Sequence, residues 1–160
     1  MQSKEEKIGW YAVKVFYNRL SPILDILEDS SIRSFVPEGL IPSLLFMQTT
    51  ELYVRSFQEQ NYSRAWVYSD PITHRPSVIP TKEMDIFIFV VTAGAQGLLY
   101  LGEDKPEYHI GDRVRVTDGP FKGAEGHIKR IKKDRRLIIT VAGVAAVATS
   151  FIHPDFLEKV

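Results

Sequence analysis

Few side chains in this sequence are spaced to make or break bonds. Its four histidines, His74, His109, His127 and His153, are dispersed, with no spacing that would gather them on one metal ion. The absence of cysteine removes disulfide frameworks, thiolate zinc sites and thiol nucleophiles together. No serine, histidine and acid form a hydrolytic set, and no motif places a carboxylate pair, so the expectation is a protein without catalysis, metal or cofactor. The stretch "DGPFKGAEGHIKRI", residues 118–131, is rich in glycine. It lacks the lysine-serine ending and the strand-to-helix setting of a phosphate-binding loop. What remains is the chemistry of contact. The run "KRIKKDRR", residues 129–136, carries Lys129, Arg130, Lys132, Lys133, Arg135 and Arg136 around a single acid. Such a run either meets RNA through its phosphates or forms the solvated tip of a hairpin.

The elements that would carry these residues fit in 160 positions, enough for one ordinary domain or two small ones. A hydrophobic fraction of 44% beside 25% charged residues is that of a globular protein, and no apolar run approaches the roughly 18 residues of a membrane span. The opening "MQSKEEKIGW" does not read as a signal peptide, so a cytoplasmic protein without a membrane partner is expected. The formal net charge is zero but unevenly spread: residues 1–103 hold 9 basic against 12 acidic side chains, residues 104–160 hold 11 against 8. That asymmetry is compatible with a basic module on a neutral protein.

A seam falls at "LGEDKPEYHIGD", residues 101–112, where glycine, proline and acids interrupt the apolar pattern. Before it, "WYAVKVFY" alternates as a strand does, and Ser21 with Pro22 predicts the N-cap and first turn of a short helix carrying Ile23, Leu24, Ile26 and Leu27. "SIRSFVP", "SLLFMQT" and "RAWVY" read as strands and "ELYVRSFQEQ" as a helix. Residues 81–94 combine strand propensity with a threonine that can open a helix, and are assigned to a helix. The order predicts an α+β sandwich with helices packed on an antiparallel sheet. After the seam, "DRVRVTD", "GHIKRI", "RRLIITVAG" and "VATSFI" predict four or five short strands in a small β-barrel, Gly119 and Pro120 making a tight turn and Gly123 and Gly126 allowing positive φ or close backbone approach.

Gly111, Val114, Val116, Gly119, Pro120, Phe121, Gly123, Gly126 and Ile128 resemble a KOW motif. In the first half, Trp10-Tyr11, the segment from Ile41 to Phe46 against a family F-P-G-Y-V-L, "LYVRS", and "HRPSVIPTKEMD" against R-P-x-P-I-x-x-x-E-[VM]-D follow in the order of the NusG family of transcription elongation factors. The resemblance covers nearly the whole chain. It implies a ferredoxin-like NGN domain over 1–100 that binds RNA polymerase at its clamp and gate, a linker over 101–110, and an SH3-like KOW barrel over 111–160 that recruits other machinery.

On the first half the resemblance suggests a polymerase-gripping patch of Lys14, Ile41, Pro42, Leu44 and Phe46, with Tyr53 in the helix that meets the gate. Because strand residues alternate faces, Leu44 and Phe46 share one face and Leu45 and Met47 the other, and one pair is expected in the core with the other exposed. Tyr17, Asn18 and Arg19 lie where specialised members touch non-template DNA; an aromatic beside a cation suits stacking and phosphate contact, and equally suits a polar turn. Arg75 is a further candidate for DNA or polymerase contact, or simply a solvated loop residue. Two departures stand out: Pro42-Ser43-Leu44 replaces P-G-Y, and Val144-Ala145-Ala146 falls where housekeeping members carry Phe-Gly-Arg. The second puts in doubt the docking of a small-subunit ribosomal protein or Rho. Both features are similar to those of specialised paralogues, the UpxY-like and RfaH-like antiterminators that act on particular operons such as surface polysaccharide loci. The alternatives are a housekeeping NusG and a ribosome-associated KOW protein. "VAGVAAVATSF" permits a helix, but Gly143 and the valines favour a strand, so a stable barrel is expected.

Overall fold

The structure is a computed structural model, described here for residues 6–16, 18–93 and 97–160. The chain forms two compact units, Met1–Thr81 and Lys82–Val160. The first contains β1 (Ile8–Val15), α1 (Leu20–Asp29), β2 (Arg33–Phe35), β3 (Leu44–Thr50), α2 (Glu51–Asn61) and β4 (Ala65–Val67). Its strands pair antiparallel in the order β2-β3-β1-β4, the β-α-β-β-α-β arrangement of a ferredoxin-like sheet. Tyr11, Val13, Val15, Leu45, Met47, Ala65 and Val67 point to one face and pack with Ile23 and Leu27 of α1 and Val54 and Phe57 of α2. Two amphipathic helices thus cover one side of the sheet, as the alternation of strand and helix predicts.

The helix starts follow two different rules. Thr50 caps α2, its Oγ1 accepting the Tyr53 N–H at 3.2 Å. The start of α1 lies earlier than the expected Ser21 cap: Arg19 is the N-cap, without a side-chain bond, and Ser21 lies inside the first turn. The Arg19 N–H bonds the Phe16 carbonyl and its own carbonyl accepts the Ile23 N–H, so the turn out of β1 runs straight into the helix. Pro22 fits there because first-turn amides need no helical partner.

The second unit takes in α3 (Thr81–Ala93) from Lys82 onward, followed by β5 (Leu99–Gly102), β6 (Arg113–Val116), β7 (Glu125–Ile131), β8 (Asp134–Val141), β9 (Ala145–Phe151) and β10 (Leu157–Lys159). The six strands form an antiparallel sheet ordered β10-β6-β7-β8-β9-β5, a small barrel-like domain. The four central strands are those anticipated from sequence, and residues 145–151 are strand rather than helix. The edge strands β5 and β10 were not anticipated, being only four and three residues long. Within 101–110, expected as a linker, β5 ends and a short 3-10 turn, Pro106–His109, buries Tyr108 against Ile138, Ala146 and Ala148.

The opening glycines do two separate jobs. Gly119 and Gly123 adopt φ of +84° and +96° in the loop from β6 to β7, closed by the Gly123 N–H on the Val116 carbonyl at 2.8 Å. Gly126 has ordinary φ, but a Cβ there would run into the Ile138 carbonyl of the neighbouring strand. It is the close-approach glycine of a tightly curved sheet.

Candidate functional site

Strand register assembles most of the expected contact patch. Lys14 lies opposite Leu44 and Ala12 opposite Phe46 between β1 and β3, while Lys14 also faces Trp66 of β4. These residues, with Trp10 and Phe35, therefore occupy the sheet face opposite the helices. Phe35 and Phe46 rings lie 6.4 Å apart, and the Arg33 guanidinium sits 5.2 Å over Trp10. Lys14 and Pro42 are exposed at one end of this face, whereas Ile41, Leu44 and Phe46 are buried. The expected division into a core pair and an exposed pair on β3 fails, because Leu45 and Met47 are buried too. A run apolar on both parities, "LLFM", belongs to a strand whose two faces are both shielded from water. Trp66 was missed by sequence reasoning; it is 47% exposed, and its ring lies 4.8 Å from Tyr68. Its alternation with Ala65 and Val67 in the strand "RAWVY" was the available signal. Tyr53 does not join this face. It packs from α2 on the helix-side core, stacked at 6.5 Å on Phe57.

Arg75 has a defined structural partner. Its Nη2 donates to both Glu51 oxygens, at 3.2 and 2.9 Å, and Arg55 Nη2 reaches Glu51 Oε2 at 2.8 Å. Glu51 opens α2 with its side chain only 2% exposed. The carboxylate is held by two guanidinium groups and favoured by the helix N-terminus. Tyr11 faces this cluster, and its phenol pKa is pushed above the usual 10.0, first by burial and next by the Glu51 charge, against the opposing pull of Arg75 and Arg55. The loop that delivers Arg75 is itself ordered by Asp70, whose Oδ1 accepts the Ile72 and Thr73 N–H groups at 2.7 and 2.9 Å. Those backbone donors lower the Asp70 pKa. The Glu51 cluster was also missed, although an acid directly after a capping threonine with arginine four residues on marks it.

Asn18 and Arg19 are exposed in the turn between β1 and α1, with Asn18 at φ +60°; Tyr17 lies outside the described residues. The KOW residues are backbone and core devices: Val116 and Phe121 are buried, Val114 and Ile128 half-buried, and Gly111 has φ +93°. Pro120 is an exposed member of the β6–β7 loop.

The basic run divides in two. Lys129 bonds Glu107 at 2.9 Å and sits 5.2 Å over the Tyr108 ring, and this ion pair holds the Glu107 pKa below its usual value. Arg136 donates to the Gly97 and Thr149 carbonyls at 3.2 and 3.3 Å. Arg130, Lys132, Lys133 and Arg135 are instead exposed around the β7–β8 turn. No group of three or more histidine and acidic side chains among the described residues is placed to hold a metal ion. No helix among them is long and apolar enough to cross a membrane.

Residues 110–141 match the KOW motif. No curated protein matches the chain. Among solved structures, the fold is similar to that reported under "Domain interaction in Thermotoga maritima NusG", at 18% identity over 96% of this chain and 98% of that one, with a TM-score of 0.50. The chain therefore has a NusG-like α+β fold and carries a KOW motif in its second unit.

Proposed function

We propose that the protein is a transcription elongation factor of the NusG family that acts without catalysis, binding RNA polymerase through the accessible end of the first unit's sheet, at Lys14, Pro42 and Trp66. The observation that carries this reading is that register places Lys14, Leu44 and Phe46 together on the sheet face opposite the helices, within a ferredoxin-like sheet followed by a KOW unit. An exposed tryptophan beside a cation suits a helical element of a partner, since burying Trp66 supplies affinity and Lys14 supplies orientation. Leu44 and Phe46 are closed to solvent, so a partner first meets Lys14, Pro42 and Trp66.

The specialised, operon-restricted reading is favoured over the housekeeping one by the turn into β9. Val144, Ala145 and Ala146 are all buried there, presenting neither an exposed aromatic nor a cation to Rho or a ribosomal protein. In this reading the protein suppresses pausing or termination on its target operons in the cytoplasm.

The test is co-purification of tagged full-length protein with RNA polymerase, beside a Lys14→Glu, Trp66→Ser variant whose exposed positions leave the core intact. Polymerase held by the parent and reduced at least tenfold on the folded variant is the expected result. A parent that brings down no polymerase overturns the reading.

A further inference from the structure

The histidines are dispersed along the chain, but the fold brings two of them together. His109 ends the 3-10 turn that precedes β6, and His127 lies on β7 across from Arg113. Their imidazole rings stand 6.0 Å apart between centroids, with the planes inclined at 64°. Both rings line one cavity of about 270 Å³ in the second unit, whose walls also include Glu83, Arg113, Glu125 and Ile138.

Each ring is anchored by one nitrogen and keeps the other. His109 Nε2 lies 2.7 Å from Asp104 Oδ1, and His127 Nδ1 lies 3.1 Å from the Gly111 carbonyl oxygen. A carboxylate and a carbonyl only accept, so these nitrogens carry the protons, and the neutral rings keep their lone pairs at His109 Nδ1 and His127 Nε2. Asp104 is itself fixed, its second oxygen accepting the Gly143 N–H at 3.1 Å. An imidazole that donates one N–H to an immobilised oxygen is oriented as metal-binding histidines are.

The spacing suits a single ion. With metal–nitrogen bonds of about 2.0–2.1 Å, two imidazoles at a tetrahedral angle have centroids roughly 5.2 Å apart. The observed 6.0 Å exceeds this by about 0.8 Å, within reach of a small rotation of the His109 ring, whose side chain is 45% exposed. The nearby carboxylates are already engaged. Glu125 meets Lys82, Arg113 and Arg115, which also offsets the guanidinium charge beside the rings, and Glu83 accepts the Ala142 N–H at 2.9 Å. No third histidine or acid is placed to join the pair among the described residues, so water completes the shell and the ion exchanges freely.

We infer that His109 and His127 form a two-histidine site for a late first-row divalent cation such as Zn²⁺, which ties the turn before β6 to β7. Imidazole ligands favour Zn²⁺, Cu²⁺ and Ni²⁺ over Mg²⁺ and Ca²⁺. The inference does not depend on polymerase binding.

The test uses tag-free full-length protein titrated calorimetrically with ZnCl₂, and with MgCl₂ in parallel, at about pH 7.5, where imidazoles are neutral. One Zn²⁺ per chain is expected, with affinity falling steeply as the pH is lowered to about 5.5 and the rings take up protons. His109→Gln and His127→Gln should each weaken Zn²⁺ binding at least about tenfold. His153→Gln, at an exposed histidine elsewhere on the unit, should leave it unchanged. A second measurement needs no variant: in the ring-proton NMR spectrum of the parent, Zn²⁺ should shift the signals of two of the four histidines and leave the other two in place. No Zn²⁺ binding by the parent, equal losses in all three variants, shifts at all four histidines, or displacement of Zn²⁺ by Mg²⁺ would overturn the site. Metal-free melting temperatures equal to the parent's exclude unfolding as the cause of a loss.

Discussion

The two units turn their chains by opposite means. In the second, the tight turns fall on glycines with positive φ, at Gly102, Gly111, Gly119, Gly123 and Gly143. In the first, the same left-handed conformation is taken by Asn18, Ser31, Ser43 and His74, with Gly39 the only glycine among its described residues to adopt it. A left-handed residue with a Cβ costs roughly 1–2 kcal/mol that a glycine avoids. The first unit therefore carries strain that the second, outside its basic hairpin tip, has shed. Three of these strained positions adjoin candidate contact residues: Asn18 beside Arg19, Ser43 beside Pro42, and His74 beside Arg75. The pattern is that of backbone over-determined by its surroundings to aim particular side chains.

The sharpest way to break the comparison is to remove the second unit's advantage. Gly126→Ala drives a methyl into the Ile138 carbonyl, a backbone group on a neighbouring paired strand that cannot swing aside. The expected loss is about 3 kcal/mol or more, at the upper end of overpacking. Hydrogen exchange of β7 and β8 amides measures it; protection equal to the parent's would show that the two strands separate more easily than their register implies. Gly123→Ala, at φ +96° with open space around the added methyl, isolates the conformational penalty alone. It should cost about 1–2 kcal/mol.

In the first unit the counterpart to a well-placed glycine is a well-placed charge. Glu51→Gln leaves Arg55 and Arg75 facing a neutral amide at a buried position. Complete loss of a buried pair costs about 3–5 kcal/mol, but both arginines are partly solvated, so about 1–2 kcal/mol is expected. Tyr11 supplies an independent readout. Its folded pKa lies above its unfolded value, so between pH 10.0 and that folded value the unfolded chain has released a proton the native one keeps. Stability contributed by the neutral phenol is thus complete below pH 10.0 and lost as pH rises through that window. Without the Glu51 charge the folded pKa drops and the window narrows, visible as an earlier phenolate absorbance in the folded variant. An unchanged Tyr11 titration would mean that burial alone sets it.

The contrast also explains what was legible beforehand. Glycines announce the turns of the second unit, and alternating Val114, Val116 and Ile128 announce its strands, so β6 to β9 stood out. The turns of the first unit are written in asparagine, serine and histidine, which occur anywhere, so the Arg19 start of α1 was not visible, and the turn-rich "SDPITHRP" was legible as a loop but not the Asp70 carboxylate that orders it. The grouping of Lys14, Leu44 and Phe46 came from family resemblance and strand parity, but the burial of Leu44 and Phe46 was not legible, because parity assigns faces without saying which faces meet water. Glu51 was hidden for a further reason. Its arginine partner is 20 residues farther on beyond Arg55, at Arg75, and only the fold joins them.

Ser43 gives the comparison its finest test. It stands where the family pattern has glycine, and its φ is +63°. Its carbonyl accepts the Val15 N–H at 2.8 Å, so the conformation is fixed by the β1–β3 ladder and cannot relax without breaking a strand-end bond. Ser43→Gly removes the Cβ penalty of about 1–2 kcal/mol but raises the entropy lost on folding by about 0.5–1 kcal/mol. The net gain should be about 0.5–1 kcal/mol, read as a higher denaturant midpoint with unchanged slope. If the strain only tolerates an inherited substitution, polymerase capture by the glycine variant will match the parent's. If instead the serine conformation holds Pro42 and Lys14 in the geometry a partner reads, the variant will be more stable and yet bind less tightly. A stability loss would contradict both, because it would mean that the serine side chain itself makes a contact worth more than the strain it carries.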